Sequence, residues 1–166
     1  MDRLDTKYLE TLVLRSQAGN ANAFAELYTA TYQGEFAYAY KNVGDRDLAK
    51  RVLRDTYGRA LREITHLTEP DMVLAWLYRL NFLISQQLLN KNRGEKLDES
   101  MTIDGHTYYV TQLIRNLPMT EAQVLIMHYY QGYSLKAISS MVGISSRELK
   151  WNMRGGRNHL KKLMRN

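Results

Sequence analysis

Helical periodicity constrains this chain more than any other feature. Apolar residues recur every three or four positions almost throughout, and only Pro70 and Pro118 supply prolines to interrupt them. The expected fold is all-α. Amphipathic stretches run from about Leu4 to Gln17, Ala21 to Lys41, Asp45 to His66 and Thr68 to Asn92. Phe24, Leu27, Tyr28 and Tyr32 have core spacing in the second stretch, as do Leu48, Val52, Leu53, Tyr57 and Leu61 in the third. Thr68 and Asp71 stand at the spacing of a helix cap. Residues 93–105 are polar and aperiodic, which reads as a linker. Further helices are expected near 108–116, 120–130, 134–141 and 145–164. The prediction is two small helical domains, 1–92 and 106–166, joined by that short linker.

Charge is distributed unevenly along this pattern. From Ser145 onward seven cations stand against the single acid Glu148, a net of +6 that equals the net charge of the whole chain. Such an excess suits a polyanionic partner. The stretch SLKAISSMVGISSRELKWNMR has the pattern of a helix-turn-helix. Leu135, Ile138 and Met141 or Val142 form one apolar face, Gly143 supplies the turn, and Ile144 plugs the angle between the helices. Ser145 and Glu148 have the spacing of a capping box at the start of the second helix, the end where a recognition helix meets base edges.

At about 100° per residue, Leu149, Met153, Leu160 and Leu163 form one stripe of that last helix, and Arg147, Lys150, Arg154, Arg157 and Lys161 another. One stripe packs and the other bridges to phosphates, releasing counterions. A membrane-surface helix would have to turn the apolar stripe to lipid, yet the preceding helix requires it. The expected DNA contacts are Ser146, Arg147, Lys150, Trp151, Arg154 and Arg157, with Trp151 a candidate apolar reader of thymine methyls. Gly155 and Gly156 each cost about 1 kcal/mol in a helix interior, so they either permit close approach or mark a bend.

Other function classes find little support. No apolar run approaches the roughly 20 residues of a membrane span, so membrane insertion is not expected. The opening MDRLDTKYLE lacks the apolar core of a signal peptide, and the expected location is cytoplasmic. With no cysteine, thiolate metal sites and cysteine nucleophiles are excluded. His66, His106, His128 and His159 have no second ligand at helical spacing, and no phosphate-cradling loop or nucleophile elbow occurs. Neither an enzyme, a metal site nor a cofactor is expected.

Taken together, the chain resembles an RNA polymerase sigma factor of the extracytoplasmic-function type. Leu117-Pro118, Val124 to Tyr130, Gly132-Tyr133-Ser134 and Gly143-Ile144-Ser145 are similar to that family's region 4. Ala23-Phe24-x-x-Leu27-Tyr28 with Tyr32 resembles the opening of region 2, and Trp76-Leu77-Tyr78-Arg79-Leu80 resembles the tryptophan-bearing helix near the promoter-melting surface. The resemblance implies two tasks. Region 2 would hold core RNA polymerase and capture the −10 element, and region 4 would read the −35 element of promoter DNA. Trp76, Tyr78, Arg79, Lys91 and Arg93 are the implied −10 contacts, and an anti-sigma protein is a further implied partner.

The sequence also departs from the family pattern. Where the clamp-binding helix usually shows Ala-Glu-Asp-Leu-x-Gln-Glu/Asp-x-Phe, this chain has Ala49-Lys50-Arg51-Val52-Leu53-Arg54-Asp55-Thr56-Tyr57. Lys50, Arg51, Arg54 and Asp55 are therefore the implied polymerase contacts, with three cations in place of two acids and a glutamine. Against a basic partner surface such a change costs several kcal/mol. The melting helix carries Phe82-Leu83 and Gln87 in place of an Arg-Asn pair and an Asp, and the recognition helix carries Lys150-Trp151-Asn152 in place of Lys-Ser-Arg. A sigma-like DNA-binding regulator or decoy that does not bind core polymerase is the alternative; the retained two-domain layout favours the polymerase subunit.

Overall fold

The computed structural model describes residues 5–93 and 99–165, with only the backbone of Asn92 and Arg93. The chain divides into two compact units, Met1–Glu95 and Lys96–Asn166.

The first unit consists of α1 (Thr6–Gln17), α2 (Ala21–Val43), α3 (Arg46–Glu63) and α4 (Val73–Arg93). Short polar residues punctuate it. The Asp5, Asn20 and Asp45 carboxylate or amide oxygens accept backbone N–H groups at the starts of α1, α2 and α3, and Gly44 ends α2 in the left-handed region at φ 72°. Before α4 there is no Thr68 cap; a single 3₁₀ turn over Pro70–Met72 leads in, with proline at its first position, where the missing N–H is no loss. Leu9, Leu12 and Val13 of α1 join Leu27, Val52, Leu53, Leu77 and Phe82 in the core.

The buried line of α2 departs from the expected one. It runs Ala23, Leu27, Thr31, Glu35, Tyr38, while Phe24 and Tyr32 are half-buried and Tyr28 is 41% exposed. Two polar residues on the inner line hide the period, and the aromatic residues form a neighbouring stripe. Leu61 of α3 is likewise exposed.

In the second unit the outcome for residues 93–105 is a β-hairpin over their latter half. Strands β1 (Ser100–Ile103) and β2 (His106–Tyr109) pair antiparallel, with Ser100 opposite Tyr109 and Ile103 opposite His106. Asp104 and Gly105 turn the chain at φ 51° and 80°, the double positive φ that a two-residue hairpin requires. Met101, Ile103 and Tyr108 are buried, which gives the hairpin a place in the core. Then follow α5 (Val110–Asn116), α6 (Met119–Leu125) continued by a π-helical turn over Ile126–Tyr130, α7 (Leu135–Val142) and α8 (Ser146–Leu163). The molecule is mostly helical, with this one small sheet among the described residues.

Candidate nucleic-acid interface

The helix-turn-helix is built from local chemistry. The Ser134 hydroxyl accepts the Ala137 amide to start α7, and Gly143 ends it at φ 77°. Ile144 is buried between the helices; Ile138 and Val142 present the apolar face, while Leu135 is exposed. The Ser145 hydroxyl accepts the Glu148 amide at 3.1 Å and opens α8. Leu149, Met153 and Leu160 are buried as expected, with Gly156 beside them; Leu163, near the end of the helix, is exposed.

Gly155 and Gly156 serve close approach. A Cβ on Gly156 would lie 2.6 Å from Leu125 Cδ1, and one on Gly155 2.6 Å from a Glu121 carboxylate oxygen. α6 and α8 therefore press backbone to side chain, which fixes the outward face of α8. That face carries Ser146, Arg147, Lys150, Trp151 and Arg154, all exposed. Ser145, Arg147, Glu148, Lys150, Trp151 and Arg154 line an open groove of about 420 Å³.

Arg157 is not part of this row. It is half-buried, its Nε 4.0 Å from the Asp104 carboxylate and its guanidinium 3.5 Å from the Tyr129 hydroxyl. The hairpin turn, read as linker, supplies the acid that draws it aside.

In the first unit, Lys50, Arg51 and Arg54 are exposed on α3, and Asp55 is half-buried and paired with its neighbour Arg54 at 3.4 Å. Such an exposed pair contributes little to stability. Trp76 and Tyr78 depart from the expectation of base contact. They are 9% and 5% exposed, and Tyr78 packs edge-on against Tyr38 at 4.8 Å, so both rings serve the core. An amphipathic helix with apolar residues on nearly every side has no open aromatic face to spare. Arg79 is half-buried, and burial followed by the nearby Arg59 charge lowers its pKa. Lys91 is exposed, whereas the side chain of Arg93 lies outside the described residues.

Two features were not found from sequence. Tyr28, Tyr32, Phe36 and Tyr40 follow each other along α2 at ring separations of 5.3, 6.2 and 6.4 Å, with the Arg46 guanidinium 5.7 Å from the Phe36 ring. Their i, i+4 spacing was the available signal. Beneath them Glu35 is buried, its carboxylate accepting from Asn81 Nδ2 at 2.8 Å, while the other oxygen lacks a hydrogen bond. Desolvation pushes this acid up to about 8, partly opposed by the Asn81 bond. Among the described residues no cluster of His, Asp or Glu could hold a metal, and no helix is long and apolar enough to cross a membrane.

The comparisons with known proteins follow this division of the chain. Residues 108–160 match the family model for sigma-70 region 4, a stretch that runs from the end of β2 through most of α8. The chain is 26% identical over 163 residues to the ECF RNA polymerase sigma factor BldN of Streptomyces coelicolor, an alignment covering 88% of this chain and 62% of that protein's length. Among solved structures, CnrH in complex with the cytosolic domain of CnrY is 17% identical, with 95% of this chain and 97% of that one covered at a TM-score of 0.49. BldN in its complex with RsbN is 22% identical, with coverage of 91% and 98% and a TM-score of 0.37. Residues 108–160 thus match sigma-70 region 4, and along most of its length the chain is similar to an RNA polymerase sigma factor of the extracytoplasmic-function type, of whose length the match spans less than two thirds.

Proposed function

We propose that this chain directs RNA polymerase to promoters, with α8 reading the −35 element in the major groove and the first unit holding core polymerase and the −10 element. The observation that carries this reading is the single exposed face of α8, where Ser146, Arg147, Lys150, Trp151 and Arg154 stand together behind a capped amino end. Cations there neutralise phosphates and an arginine can pair with guanine. The chain lends specificity and leaves catalysis to the polymerase, which places its action in the cytoplasm. An anti-sigma protein is a further partner under the same reading.

Arg147→Ala and Lys150→Ala are each expected to weaken binding to −35 duplex about tenfold without unfolding the chain, since both side chains are exposed. Unchanged affinity at low salt would defeat the assignment.

Core binding is assigned to α3, with exposed Lys50, Arg51 and Arg54 meeting a partner surface altered to match them. In the −10 role the proposal rests on Arg79 and Lys91, because Trp76 and Tyr78 are committed to packing. Purified core polymerase is expected to retain the wild-type chain in a pull-down. If only Lys50→Glu/Arg51→Asp/Arg54→Gln were retained, the regulator or decoy reading would replace this one.

A further inference from the structure

Trp151 is 75% exposed, an unusual position for an indole. It stands on the side of α8 opposite Leu149, Met153 and Leu160, so it is the part of the helix that reaches furthest out. Its surroundings are asymmetric. At about 100° per residue, Arg147 and Arg154 lie roughly 40° and 60° to one side, and Glu148 roughly 60° to the other. A phosphate backbone is drawn to the cationic flank and repelled by the carboxylate. Trp151 then stands beside the backbone track, over the bases.

The neighbouring amide cannot do the reading in its place. Asn152 Nδ2 donates to the Glu148 carbonyl at 3.0 Å, which ties it to its own helix. An indole offers a broad apolar surface, one N–H donor and no acceptor. It carries no charge with which to neutralise a phosphate, and most of its surface is apolar. In the major groove of duplex DNA, one apolar group marks a base pair, the C5-methyl of thymine.

We propose that Trp151 is a specificity-determining residue that reads thymine methyl groups in the major groove, at one or two adjacent steps beneath the middle of α8. The inference rests on the reading of α8 as the DNA-reading helix and adds to it the chemistry of the preferred base. Arg147, Lys150 and Arg154 hold and align the duplex; Trp151 selects within it.

The test uses the full chain, alone and with core polymerase, to select duplexes from a randomised pool. Each thymine of the selected duplex is then replaced singly by deoxyuridine, which removes the methyl and keeps the hydrogen-bonding pattern. Wild type is expected to lose about fourfold in affinity at one or two positions, the value of one methyl-sized apolar contact. Trp151→Ala is expected to bind thymine and uracil duplexes alike, and Trp151→Phe to keep part of the discrimination. Because the side chain is exposed, folding of these variants is not at issue.

Indifference of the wild type to every uracil substitution would overturn the proposal, as would an equal loss in Trp151→Ala. Selection of no sequence, with no duplex bound in either setting, would remove the DNA reading itself. Loss of core polymerase binding in Trp151→Ala, with thymine discrimination intact, would make Trp151 a protein contact and also overturn the proposal.

Discussion

Between pH 4.5 and 8 the wild-type chain is expected to lose stability at about 1.4 kcal/mol per pH unit, and Glu35→Gln is expected to remove that slope. Below 4.5, the ordinary value for this side chain, Glu35 is protonated both folded and unfolded. Above about 8 it is ionised in both. In between, only the unfolded chain releases the proton, so unfolding becomes easier as pH rises. The cause is burial: a carboxyl 1% exposed between α2 and α4, held at one oxygen by Asn81 and lacking a bond at the other. Tyr57, its pKa raised mainly by its own burial and further by Glu35, shares a hydrogen bond with the Thr31 hydroxyl at 2.6 Å. Chemical denaturation at several pH values checks this, and the difference between the two proteins isolates Glu35 from the histidines. A wild-type profile parallel to that of Glu35→Gln would show that the acid is already ionised in the fold.

Gly156→Val is expected to destabilise the second unit by about 2–3 kcal/mol, the cost of forcing volume into a packed core. The added Cβ would meet Leu125 Cδ1 at 2.6 Å, and Leu125 is fully buried, so its side chain has no free space to turn into. Gly155→Ala meets instead the far end of Glu121, a flexible side chain whose other carboxylate oxygen is held by His159 Nδ1 at 2.6 Å, and about 1 kcal/mol of gained helix propensity offsets its displacement. Thermal unfolding of both variants separates close approach from bending. Equal losses would point to a hinge; a loss confined to Gly156→Val is the expected result.

Helix boundaries were readable because caps and stops are local. Asp5, Asn20, Asp45, Ser134 and Ser145 act on amides two or three residues away, and Gly44 and Gly143 act where they stand. The hairpin also had a local signal, Asp104-Gly105 between Met101, Ile103 and Tyr108, which the polar setting of residues 93–105 obscured. What could not be read depends on residues distant in sequence. Glu35 looks like a surface acid until Asn81, on another helix, is brought against it. Arg157 belongs to the basic row by angle and leaves it because the hairpin sets Asp104 nearby. Trp76 and Tyr78 have the residue types of a stacking surface, and the packing of α2 and α4 places them inside. On α8 the shared exposure of Ser146, Arg147, Lys150, Trp151 and Arg154 was legible, because one capped helix with one buried stripe leaves only one direction for the rest.

The chain has two tryptophans, and each unit contains one, Trp76 almost sealed in α4 and Trp151 open to water on α8. The same sequence choice that separates a buried ring from an exposed one gives the units different intrinsic fluorescence, blue-shifted for one and quencher-accessible for the other. Melting of the first unit and changes at the outer face of α8 can thus be followed in one cuvette, without a label.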